Sequence, residues 1–178
     1  MSGVPAGVRD QAALFALADL LTDTARVVVQ LGPEEYTDSD VPGISGSIGG
    51  HVRHCLDHVR ALELGIERGL VDYDARRRDI GIEREREAAA LSLLAAASRL
   101  QTVPGEALGR MVVVRTLVAI DGPVVEAVSS VARELAFVVS HTIHHNAQIA
   151  LLAHRLGSSR LPRRFGVAPS TPALAGAA

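Results

Sequence analysis

At 178 residues with a formal net charge of -2, the chain has room for one core but lacks the concentrated basic face that a phosphate backbone requires, which excludes nucleic acid as a partner. Hydrophobic residues make up 48% of it and aromatics only 3%, with no Trp, so the core must come from Ala, Leu and Val, and the first two favour helices. All 18 basic residues are Arg, which removes any lysine nucleophile, and the single cysteine, Cys55, removes an intramolecular disulfide and a thiolate metal cage.

From about Val8 to Leu31 the apolar residues Leu14, Leu17, Leu20, Leu21, Val27, Val28 and Leu31 recur at helical spacing. Gly32 and Pro33 stop that helix, and Glu34 to Gly46 reads as a long loop. Ser45 or Ser47 caps a second helix reaching Gly69, with a core stripe of Ile48, Val52, Cys55, Val59, Leu62 and Ile66. Arg53, Asp57, Arg60 and Glu67 fall on its solvated side. Val71 to Asp79 is too charged and aperiodic for a core element and reads as a connection. A third helix is expected from about Ile82 to Leu100, opening on acidic residues that suit the helix dipole.

Met111 to Ile120 is β-branched, Asp121-Gly122 signals a turn, and Val124 to Val128 returns as a partner strand. Ser129 or Ser130 then caps the longest helix, which runs to Leu156 and ends at Gly157. The tail after Ser158 carries three Pro. Four long helices joined by connections of unequal length predict an all-α four-helix bundle with a small β-hairpin before the last helix. Residues 1–165 form its single domain and 166–178 a C-terminal tail that is mobile in part. Met1 to Gln11 has no basic stretch leading into an apolar core, and no apolar run reaches the roughly 18–20 residues of a spanning helix. The expectation is a cytoplasmic, soluble protein with no membrane partner. Ala- and Leu-rich stripes on at least three helices predict a homodimer.

Six of the seven histidines fall in two clusters, His51, His54 and His58 upstream and His141, His144 and His145 downstream. Residues four apart stack on one helix face, so His141 and His145 present two imidazoles to one point, while His144 points about 100° away from His145. Burying several unpaired imidazoles costs hydration that coordination would restore. This pattern predicts a transition-metal site built from histidine. On the second helix the same angular count puts His51 and His58 on the flank of the core stripe and His54 further round.

The stretch Ser47-Ile48-Gly49-Gly50-His51-Val52-Arg53-His54, followed by Asp57, resembles the second-helix motif of the DinB-like superfamily. The segment His141-Thr142-Ile143-His144-His145, followed by a Gln-containing apolar run, resembles its last-helix motif. The likeness extends over most of the chain in order and spacing. It implies His54, His141 and His145 as metal ligands, whereas the angular count taken alone favours His51 or His58 in place of His54. It also implies a divalent zinc, nickel or iron ion with positions open to a small-molecule substrate, as catalytic sites require. Characterised members include transferases and isomerases that use a low-molecular-weight thiol, and others have no known activity. A metal-dependent thiol transferase is therefore the expectation, and a non-catalytic metal-binding or dimeric assembly protein the alternative.

Three further groups have chemistry of their own. Cys55 adjoins His54 but points about 100° from it, so a Cys/His nucleophile is not formed and a buried structural thiol is expected. Arg76, Arg77 and Arg78 suit a carboxylate on a thiol or substrate, or else a solvated loop paired with Asp74, Asp79 or Glu83. Asp57, one turn from His54, is either an acceptor that orients an imidazole or an exposed helix carboxylate.

Overall fold

The structure, a computed structural model, describes residues 6–158 and 161–172. Residues 1–5 and 173–178, on which the readings of the N-terminus and of a mobile tail partly rest, lie outside the described residues. Among the described residues, six α-helices, a short 3-10 helix and three strands follow in order: α1 (Ala6–Val28), α2 (Pro33–Thr37), α3 (Ile48–Arg68), β1 (Leu70–Asp72), α4 (Ile80–Arg84), α5 (Arg86–Gln101), the 3-10 turn Gly105–Gly109, β2 (Met111–Leu117), β3 (Val124–Ser130) and α6 (Val131–Arg155).

The predicted all-α four-helix bundle is corrected by the sheet, which makes the architecture α+β. The hairpin of β2 and β3 is antiparallel, pairing Met111 with Ser130 and Leu117 with Val124. It also accepts a third, parallel strand, because Leu70, Val71 and Asp72 pair with Val113, Val114 and Arg115. Val71 and Asp72 belong to the stretch read as an aperiodic connection. Gly69 ends α3 in the left-handed region at φ 79, its N–H donating to the Gly65 carbonyl at 2.8 Å. A Cβ on Gly65 would lie 2.2 Å from Val71 Cγ2, so the bare glycine is what lets Val71 bury completely against α3.

Two segments expected to be irregular or continuous also differ. The long loop after α1 contains α2, whose Tyr36 is fully buried. The third predicted helix is broken at Glu85 into α4 and α5. Tyr36 supplies the reason: its hydroxyl donates to the Ile82 carbonyl at 2.7 Å, and that carbonyl is the one a continuous helix would offer to the Arg86 N–H. At Gly49 a Cβ would stand 2.0 Å from the Glu83 carbonyl oxygen and 2.8 Å from the Tyr36 ring, so the first turn of α3 is wedged tightly against α4. Ser47 caps that turn, its Oγ accepting from the Gly50 N–H at 3.0 Å.

Helix α1 packs most extensively on α5, and α3 on α6, with α1 also touching α6. The α1–α5 seam is apolar, with Leu14, Leu17, Leu21, Leu93 and Leu100 fully buried. No break separates β3 from α6: Ser130 ends the strand and caps the helix, its Oγ accepting from the Arg133 N–H. Beyond α6, Leu161 and Phe165 pack on the core, and Gly166 at φ 72 lies so close to α6 that a Cβ would meet the Ala147 nitrogen at 2.5 Å. Among the described residues, no helix is long and apolar enough to cross a membrane.

Candidate metal centre

Helices α3 and α6 face each other with five imidazoles between them. His54 has its ring centroid 4.9 Å from that of His141 and 4.6 Å from that of His145, and the last two are 4.5 Å apart. The three residues assigned through the resemblance are thus mutual neighbours. His58, one turn along α3, stacks on His141 at 3.9 Å and lies 4.5 Å from His54. Within the trio His54, His58 and His141, one ring nitrogen from each residue lies within 4.8 Å of the others, close enough to hold a metal ion. His51 completes the row at the other end, its Nδ1 2.9 Å from His145 Nδ1. His144 is exposed and touches the row only through the edge of His145.

Hydrogen bonds restrict which nitrogens are free. A backbone carbonyl only accepts, so the contact of 3.0 Å between His58 Nδ1 and the His54 carbonyl places the proton on Nδ1. His58 Nε2 then keeps its lone pair, the arrangement of a metal-binding imidazole. One member of the His51 and His145 pair must donate and the other accept. When His145 donates, its Nε2 is likewise left with a lone pair. Both His51 Nε2 and His141 Nε2 are shut off from solvent without a hydrogen-bond partner. Each such atom costs about 1–3 kcal/mol relative to a satisfied one. A divalent ion supplies what His141 Nε2 lacks, whereas His51 Nε2 carries the proton when His145 donates and calls for an acceptor instead; with His58 Nε2 and His145 Nε2 also holding lone pairs, the donor set fits an imidazole-bound transition metal.

Electrostatics favour the same chemistry. Burial, reinforced by the neighbouring imidazoles and, for His54 and His141, by Arg76, holds these two at about 3 and about 4. His145 is held at about 3 by burial and the surrounding histidines. His51 and His58 are also lowered, chiefly by burial. Neutral imidazole, the form that ligates, is therefore the resting state at neutral pH.

The row is supported from the sheet side. Tyr73, just after β1, stacks on His58 at 5.2 Å and donates its hydroxyl to Glu134 at 2.7 Å. Glu134 is fully buried in the first turn of α6, where Ser129 Oγ donates to it at 2.6 Å and Arg133 at 2.9 Å. Burial and that carboxylate push the Tyr73 hydroxyl upward, so it stays a donor. Sequence pattern could not have found this link, because Tyr73 and Glu134 are 61 positions apart.

On the opposite side a cleft of about 540 Å³ opens onto the row, lined by His51, His54, His145, Arg53, Glu83 and Arg84 among others. Arg53 and Asp57, expected on the solvated side of α3, are instead largely buried, at 19% and 7% side-chain exposure, because they pair with each other and Arg53 also pairs with Glu83. Asp57 contacts no imidazole within hydrogen-bond distance among the described residues; its partner is Arg53. Cys55 is buried and its thiol is pushed up to about 12 by desolvation, which suits a structural role. Of the arginine run, Arg76 alone reaches the row, with a terminal nitrogen 3.2 Å from His54 Nδ1.

No family model matches the chain, and no solved structure matches it. Among curated proteins it is similar to FK506-binding protein 5 of Rhizopus delemar, with 34% identity over 103 residues that cover 57% of this chain and 26% of that protein. The chain thus corresponds to about a quarter of that relative's length.

Proposed function

We propose that the chain is a metal-dependent enzyme related to the DinB-like superfamily, acting on a small molecule with the help of a low-molecular-weight thiol. The observation that carries the reading is the row of five imidazoles with two orphaned buried nitrogens, opening on one side to a cleft. His54, His141 and His145 would hold zinc, nickel or iron. His54 and His141 also belong to the trio with His58, so the choice of third ligand lies between His145 and His58. His145 is preferred because it lines the cleft and can lean its Nδ1 proton on His51. Three imidazole ligands leave positions open, which is the property of a catalytic site.

A divalent ion held there would lower the pKa of a thiol, so that thiolate exists at neutral pH. The cleft would then admit an electrophilic carbon beside the sulfur, where a carbon–sulfur bond would form as the bond to the leaving group broke, the thiol proton going to solvent or with the leaving group. The protein's share is orientation and exclusion of water. The test is elemental analysis of untagged protein joined to a screen of thiols against small electrophiles. About one divalent ion per chain and conjugation that disappears with a chelator are expected; absence of bound metal would sink the reading.

A second reading, a non-catalytic metal-binding protein that assembles as a homodimer, draws on exposed apolar side chains of the helices, namely Phe15, Leu91, Leu94 and Leu151. Sedimentation at micromolar concentration decides it, and a monomer carrying metal and conjugating activity would remove it.

A further inference from the structure

The guanidinium of Arg76 is a half-buried cation whose contacts do not suit it. Its one hydrogen-bonded side-chain neighbour among the described residues is His54 Nδ1, and its Nε is buried with no partner at all. No carboxylate lies within ion-pair distance of it among the described residues, whereas Arg53, the other arginine beside the row, is matched by Asp57 and Glu83. A guanidinium is always charged and presents a planar fork made for carboxylates. Here it is spent on one neutral ring nitrogen.

That contact dictates where the His54 proton sits. Arg76 can only donate, so His54 Nδ1 must accept, and neutral His54 then carries its proton on Nε2. In this state the sole lone pair of His54 is taken by Arg76. Ligation through Nδ1 needs that lone pair. Ligation through Nε2 moves the proton to Nδ1, where it would face an N–H of Arg76. Either way a metal at His54 and the Arg76 contact exclude each other, and this holds whether the third ligand is His145 or His58.

We propose that Arg76 is an exchangeable cation that caps His54 and, once a metal takes His54, turns its fork to a carboxylate of the substrate or thiol, so that metal and carboxylate bind cooperatively. The proposal rests on the metal reading and adds a ligand class to it. Displacement leaves a positive guanidinium beside a divalent ion in a partly desolvated place, a combination that calls for an anion. The acids of the neighbourhood are engaged: Asp57 holds Arg53, and Asp74 accepts the Leu117 N–H at 2.5 Å. The loop is suited to such a change. It is tied at its start by Asp72, whose carboxylate accepts from the Asp74 and Ala75 N–H groups, and at its end by Asp79 capping α4, while Arg76 lies between the two anchors.

The test measures zinc affinity of untagged, metal-stripped protein under buffered free zinc, with and without fumarate as the carboxylate probe and its neutral diamide as control. In the wild type, fumarate should tighten zinc about tenfold and the diamide should not. Arg76→Met should bind zinc about tenfold more tightly than the wild type without fumarate, since its competitor is gone, and should gain nothing from fumarate. Arg77→Met, the same loss of charge on the exposed part of the loop, should behave as the wild type, and circular dichroism establishes that each variant is folded. Zinc binding with the same affinity and the same fumarate effect in the wild type and Arg76→Met would overturn the proposal while leaving the metal reading intact. If neither protein binds zinc, the metal reading fails and the proposal falls with it. Fumarate binding that persists in Arg76→Met places the carboxylate elsewhere and also overturns it.

Discussion

The two long helix pairs of this molecule are built to opposite specifications. Between α1 and α5 the seam is built from buried Leu, Ala and Val. Between α3 and α6 the equivalent space holds five imidazoles, two of them with stranded nitrogens. Apolar burial is worth roughly 25 cal/mol per Å², whereas an unpartnered polar atom works against folding. The first pair therefore supplies the stability that lets the second remain incompletely satisfied. The difference shows that an interface can be kept under-bonded, ready for a ligand, when a neighbouring interface holds the fold.

That contrast can be broken most forcefully on the apolar side. Leu93→Ala removes a fully buried side chain from α5 and should cost about 2–5 kcal/mol in denaturant unfolding, with zinc affinity of the surviving folded protein unchanged. On the histidine side the signs should reverse. His54→Ala, common to both possible ligand trios, should weaken zinc binding on the order of 100-fold or more while the metal-free chain keeps its unfolding midpoint, as read by chelator competition and by denaturation. Equal losses of stability in the two variants would erase the distinction.

A finer cut separates the ligands. His145→Ala should lose metal on dialysis and His144→Ala, whose ring is exposed, should retain it. Retention by His145→Ala together with loss by His58→Ala would move the third ligand to His58. The smallest effect is electrostatic. In the metal-free chain His54, His141 and His145 sit at about 3, 4 and 3, below the ordinary value of 6.5, so the unfolded state binds more protons between these limits. Their contribution to stability is therefore flat above about pH 6.5 and declines as pH falls toward 3. His141→Gln should show a shallower decline over that window; an unchanged slope would count against burial as the origin of the shift.

How much of this was legible in the sequence depended on the range of the interactions. The long helices α3 and α6 were readable because apolar spacing and the caps at Ser47 and Ser130 are local signals. The hairpin was readable for the same reason, through Asp121-Gly122 and its flanking β-branched runs. The fold class was not, because β1 is a short strand that exists only by pairing with β2, far along the chain. The break at Glu85 depends on a hydroxyl from Tyr36, and no propensity reports that. Within the site, helical spacing brought out the histidines themselves. It could not reveal that His58 has its proton fixed by a backbone carbonyl or that Arg76 leans on His54; the Arg53–Asp57 pair, at i,i+4 on α3, was within its reach.

The unbroken passage from β3 into α6 has a consequence for how this chain can change length. Side chains in a strand alternate every residue, and each residue of a helix advances about 100°. One residue inserted into β3 would therefore turn over its pleat or, if the pleat were held, rotate Glu134, His141 and His145 together away from their partners. The same insertion between Leu117 and Val124 would only enlarge the turn. Length variation should accordingly be admitted at the hairpin tip and excluded between Val124 and His145, a run in which strand register and helix phase are one continuous measure.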